Sequence, residues 1–160
     1  FDDSAAHIYF VEDEKGNPSS TIAIAQGPEY EKEFIIQDIK KSVSYNSGTR
    51  RVKKMEISGK DEQAKPISLS IDCGMQVFMC GLGYMHPEWG HGHDKGESAS
   101  HFDEYNLNDD PGDPPFLHVQ SVSNVTMKVG DKTKTGRGVL EQLILGPHEP
   151  SGFKDLFDKP

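Results

Sequence analysis

Residues 67–80 read ISLSIDCGMQVFMC, and their alternation decides the fold class. Ile67, Leu69, Ile71, Cys73, Met75, Val77 and Met79 fall on one face. Ser68, Ser70, Asp72, Gly74, Gln76, Phe78 and Cys80 fall on the other. One apolar face and one mixed face at a period of two residues specify a half-buried β-strand. A strand this long needs a break, and Gly74 is the place for a bulge or bend, because glycine lacks a Cβ to obstruct one.

The same period returns downstream. In residues 116–129, FLHVQSVSNVTMKV, the positions Leu117, Val119, Val125, Met127 and Val129 share a face with Ser121 and Ser123. His118, Gln120, Val122, Asn124, Thr126 and Lys128 take the other face. Gly130-Asp131-Lys132 makes a hairpin turn, and residues 135–145 form the partner strand. On that strand Val139, Glu141, Leu143 and Leu145 face one way, and Leu140, Gln142 and Ile144 the other. Glu141 interrupts an apolar run, as do Asp72, Gln76 and Gln120. A buried polar group without a partner costs about 1–3 kcal/mol. For Gln76 and Gln120 the solvent face therefore has the better claim, whereas Glu141 is balanced between a structural and a functional role.

Upstream, residues 7–12 and 20–26 are β-rich and flank a turn cluster, so they form a hairpin with a loop of more than two residues. Residues 33–39, EFIIQDI, make a third strand or a short helix, and residues 40–45 continue in β style. Residues 50–58 form a strand with an irregularity, and residues 59–66 a polar loop. Ser151 is placed to cap a short terminal helix over residues 152–157. The expected fold is one all-β antiparallel domain over residues 1–160, a barrel or sandwich with a long central loop and a short C-terminal helix.

Composition narrows the function classes. The chain has 160 residues, 17 Lys plus Arg and 26 Asp plus Glu, for a net charge of −9. That balance argues against nucleic acid as a partner, since phosphate binding depends on Lys and Arg. It also argues against an anionic membrane surface. No apolar run is long enough to span a bilayer. The chain begins at Phe1 without a visible signal peptide, which is read as a trimmed or excised segment. Cys73 and Cys80 are seven positions apart, on opposite faces of one strand if it is regular. Two unpaired thiols suggest a reducing, cytoplasmic setting.

The chemistry concentrates in residues 83–103, GYMHPEWGHGHDKGESASHFD. Four of the seven histidines lie there, His86, His91, His93 and His101, beside Trp89, Tyr84, Phe102 and Asp103. An irregular stretch of such length inside a compact domain is often functional. Three readings stand. His91 and His93, one residue apart, can share a metal with an acid and a distant His101, His118 or His148. Alternatively a histidine and an acid facing an apolar cavity can move a proton without a metal or cofactor. Or the histidines are solvated loop residues.

Three segments carry a resemblance: residues 72–93 (DCGMQVFMCGLGYMHPEWGHGH), 113–120 (DPPFLHVQ) and 136–148 (GRGVLEQLILGPH). Together they resemble the lipocalin-like carotenoid hydratase (hydroxyneurosporene synthase) relatives. Such proteins have two tandem β-barrel-like domains, and residues 7–157 resemble the C-terminal one. The resemblance implies a small apolar, often terpenoid, ligand and a second β domain in the same chain, with a homodimer as the alternative. It implies hydration or isomerisation by proton transfer, with His91, Trp89, Tyr84 and Asp103 as the matching residue types. The clustered histidines beside aromatics make His91 or His93 the expected acid or base, Asp103 the orienting or donating carboxyl, and Trp89 and Tyr84 the cation-stabilising wall. Tyr84, His86, Trp89, His101, Phe102, His118, Gln120 and Glu141 would line the ligand. A metal-dependent enzyme and a non-catalytic small-molecule-binding domain are the rival expectations.

Overall fold

The computed structural model describes residues 1–28, 33–78, 88, 93–100, 117–144 and 146–154. Over those residues the chain is all-β, in two antiparallel sheets. The smaller sheet holds β1 (Ala5–Glu12), β2 (Pro18–Gln26) and β3 (Phe34–Ile35), in the order β1-β2-β3. The larger is a meander of β4 (Gln37–Tyr45), β5 (Val52–Lys60), β6 (Pro66–Phe78), β7 (Leu117–Val129) and β8 (Lys132–Ile144). Among the described residues the sheets do not close into a barrel; both contribute side chains to one core, consistent with a sandwich. No helix among the described residues is long and apolar enough to cross a membrane.

The main core is built from the inward alternate positions of both sheets. Ala23, Ala25 and Phe34 come from the small sheet, and Ile57, Ile67, Leu69, Met127 and Val129 from the large one. Each fully buried aliphatic or aromatic side chain of this kind stabilises the fold by about 1.5–3 kcal/mol. The two sheets are joined at a corner. Ile36 still donates its N–H to Ala23 O at 3.1 Å, yet Gln37 already pairs with Lys60 of β5. The segment 33–39 is therefore neither one strand nor a helix: it changes sheets at Ile36, as corners of packed sheets do.

The β6 pattern breaks where Gly74 stands. The β6–β7 register shifts between Cys73 and Gln76, so one extra residue of β6 is accommodated there. A Cβ on Gly74 would lie 2.9 Å from Val122 O, a contact that glycine avoids. The bulge inverts every position beyond it. Met75 and Val77 leave the core face and become exposed, and Gln76 turns inward. The expectation of a continuous apolar face through Val77 is thus corrected, and so is the solvent assignment of Gln76. The placement of Cys73 and Cys80 on opposite faces involves Cys80, which lies outside the described residues; Cys73 is a free thiol.

Inward Gln76 has a task. Its Nε2 donates to Val52 O at 2.9 Å. From β8, Gln142 accepts from Val52 N at 3.0 Å and donates to Arg50 O at 2.8 Å. Two amide side chains thus satisfy backbone groups of Arg50, in the β4–β5 connection, and of Val52, the first residue of β5. Ser121 and Ser123, both fully buried on the β7 inner face, keep that face low where Gln76 pairs with Ser121.

Loop 61–65 is organised rather than merely polar. Asp61 is 2% exposed and accepts from Gln63 N at 2.9 Å and Lys65 N at 2.8 Å. Asp61→Ala is expected to strip those donors of their acceptor and cost about 1–3 kcal/mol in denaturant unfolding. Asp61→Asn, which keeps an acceptor, should recover much of that loss.

The expected C-terminal helix is only a 3-10 turn, Glu149–Ser151, and residues 155–157 lie outside the described residues. Ser151 ends this turn rather than starting a helix. Gly152 follows in the left-handed conformation, which stops it (φ 75°). The chain then turns back, with His148 N bonded to Phe153 O at 2.7 Å, and Phe153 enters a small cluster with Val119 and Ile144.

Candidate functional site

The outward face of the large sheet changes character along its strands. In the half below the bulge, the paired outward positions are polar: Lys54 with Asp72, Ser70 with Thr126, Asn124 with Arg137. Above the bulge the same face turns apolar. Met75, Val77, Val139 and Leu143 are all exposed there, Met75 and Val139 by 68% and 66%. Strand propensity alone does not require this, because an outward face is normally polar in an antiparallel sheet. Exposed apolar side chains on one face make it a candidate binding surface.

A polar cluster sits within this apolar surface. The register places Gln120 opposite Glu141 and His118 opposite Leu143, so all four share the outward face. His118 Nε2 lies 2.9 Å from Glu141 Oε1, and Gln120 Nε2 donates to Glu141 Oε2 at 3.2 Å. The imidazole forms the floor of the cluster, buried at 8%, while the Glu141 side chain above it is half exposed. Beneath His118 in sequence, Val119 anchors the strand in the Phe153 cluster on the opposite face.

A carboxylate against Nε2 selects the Nε2–H tautomer of a neutral imidazole. It also fixes the ring's orientation. This is the carboxylate–imidazole arrangement that proton-transfer sites use, here with an amide holding the second carboxylate oxygen.

Four of the sequence-predicted site residues fall within the described residues. The structure brings His118, Gln120 and Glu141 together, with Glu141 facing outward and partnered. His93 is exposed and takes no part in this cluster. Tyr84, His86, Trp89, His91, His101, Phe102 and Asp103 lie outside the described residues. Among the described residues, no group of three or more His, Cys, Asp or Glu side chains is placed to hold a metal ion.

A second polar cluster escaped sequence reasoning. Glu12, at the end of β1, meets Lys41 Nζ of β4 and lies 3.4 Å from His148 Nε2. The Nδ1 of His148 is 2.9 Å from Ser151 Oγ. Burial, aided by the charge of Glu12, raises the pKa of nearby Tyr45 above its ordinary value. His148, one of three candidates for a distant metal ligand in the sequence reading, ties the C-terminal turn to the small sheet. Glu149 N reinforces the tie by donating to Glu14 O at 2.8 Å. Ser151 Oγ accepts from Phe153 N at 3.3 Å and donates to His148 O at 3.1 Å, so its hydroxyl caps the turn. No spacing rule links residues 12, 41 and 148, so the only sequence signal was the polarity of each.

A family model described as a family of unknown function (DUF8625) matches residues 1–154. No curated protein and no solved structure matches the chain.

Proposed function

We propose that this chain, which belongs to the DUF8625 family, binds a small apolar molecule on the outward face of β6, β7 and β8. The single observation that carries the reading is the hydrogen-bonded His118–Glu141–Gln120 cluster among exposed Met75, Val77, Val139 and Leu143. Fully burying an aliphatic side chain yields about 1.5–3 kcal/mol, so covering the exposed halves of four yields roughly 3–6 kcal/mol. Orientational and translational costs consume much of that gain, which leaves the polar cluster to decide which ligand stays. The free thiol of Cys73 supports a reducing, cytoplasmic setting.

Proton transfer to or from the bound molecule, as in a hydratase or isomerase, is the second reading. The Glu141–His118 contact favours it, because an oriented imidazole beside an apolar surface is an acid–base group. The groups that would move the proton are then His118 and Glu141, rather than the exposed His93.

The test is a titration with a ten- to fifteen-carbon isoprenoid alcohol, followed through methyl resonances. Met75, Val77, Val139 and Leu143 are expected to shift together and saturably. Val139→Asp, at a position exposed enough to leave stability within about 0.5 kcal/mol, should weaken binding at least tenfold. Saturable shifts confined to core methyls such as Ile67 and Met127, or no shifts at all, would refute the reading.

A further inference from the structure

We propose that the molecule held on this face is a neutral or cationic amphiphile, an alcohol or an amine, and that carboxylates and other anions are rejected. This inference rests on the binding reading above and adds the class of ligand. It follows from the charges and lone pairs that the upper face presents.

Glu141 supplies the carboxylate of that face, and its side chain is 51% exposed. Each of its oxygens is already engaged once, Oε1 by His118 and Oε2 by Gln120. A carboxylate oxygen has two acceptor positions, so each retains one. Both donors come from β7, which leaves acceptor capacity for a group arriving from solvent. The complement to an oriented acceptor is a donor: a hydroxyl or an ammonium.

Arg137 shares the outward face of β8 with Glu141 but lies four residues away, about 13 Å along an extended strand. At that distance it exceeds a Debye length at physiological ionic strength and is largely screened. Between them stands Val139, exposed and apolar. A ligand whose chain covers Val77, Val139 and Leu143 with its head group on Glu141 therefore meets a carboxylate contacted by the His118 imidazole and the Gln120 amide. The net charge of −9 acts in the same direction over longer range. At about 4 Å, like charges at a protein surface repel strongly enough to change affinity by at least tenfold.

The discriminating measurement uses one chain with three head groups: decan-1-ol, decylammonium and decanoate at pH 7.5. Binding is read from the methyl resonances of Met75, Val77, Val139 and Leu143. Decanol and decylammonium are expected to bind at least tenfold more tightly than decanoate. Glu141→Gln, an isosteric change at a half-exposed side chain, should bring decanol and decanoate within about threefold of each other. Glu141→Lys should reverse the order in favour of decanoate. Equal or tighter binding of decanoate to the unaltered protein, or an unchanged ratio in both variants, overturns the assignment of ligand class while leaving the binding face intact. If none of the three probes moves these methyls, the binding reading itself fails.

Discussion

Phe153→Ala is expected to lower stability by about 3–5 kcal/mol, the usual cost of emptying a fully buried aromatic site. Phe153 is 2% exposed and packs in a cluster whose other buried members are Val119 and Ile144. A cluster this small has few neighbours to collapse into the void, which places the loss toward the upper end of the range. For a chain of this length each kcal/mol corresponds to about 2–4 °C, so thermal unfolding should move down by roughly 6–20 °C. Phe153→Leu keeps most of the volume and should cost less than about 1.5 kcal/mol. A shift below about 2 °C for the alanine variant would mean that the C-terminal turn contributes no packing. The effect should also reach the site. Val119 adjoins His118 on β7, so loosening its inward anchor should broaden the His118 imidazole resonances in the folded protein.

Gly59→Ala is expected to destabilise by about 1–3 kcal/mol although it adds a single methyl group. A Cβ at this position would stand 2.6 Å from Ile36 Cγ2 and 2.7 Å from Gln37 O. The first obstacle is a side chain at 3% exposure with little room to turn. The second is backbone, and it belongs to the corner where the chain leaves the small sheet for the large one. Moving it disturbs the Ile36 N–H bond to Ala23 O on one side and the Gln37–Lys60 pairing on the other. Denaturant melts of Gly59→Ala, Ile36→Ala and the double variant separate the two obstacles. Ile36→Ala removes Cγ2 and should relieve the side-chain clash, so the double variant is expected to lose less than the sum of the singles. Strict additivity would show that Ile36 and Gly59 do not meet.

Much of this architecture was legible from periodicity. The faces of β7 follow the alternation of residues 117–129, including the inward placement of Ser121 and Ser123, since nothing interrupts that strand's register with β8. The hairpin of β1 and β2 and the turn between β7 and β8 were equally visible from their turn residues. The faces of Met75, Val77 and Gln76 were not. Gly74 could be recognised as a place for a bulge, but a sequence does not state whether the extra residue is accommodated there, and one residue inverts all that follow. The corner at Ile36 was hidden for a related reason. Its apolar neighbours suit either sheet, and only the pairing of Gln37 with Lys60 distinguishes them.

The site divides along the same line. His118, Gln120 and Glu141 were each conspicuous as polar residues in apolar strands, because a polar group there requires a reason. That they meet depends on β7 and β8 pairing in one register, with Gln120 opposite Glu141. A shift of one residue would have sent Glu141 away from the imidazole. The sequence by itself therefore determined the strands, their inner faces and the acidic charge that disfavours anionic partners, because side-chain alternation and net charge are local or additive properties. Tertiary structure alone decided the bulge, the corner, the Gln76 and Gln142 brackets on Arg50 and Val52, and the imidazole–carboxylate contact, because each depends on which distant residue comes to lie opposite.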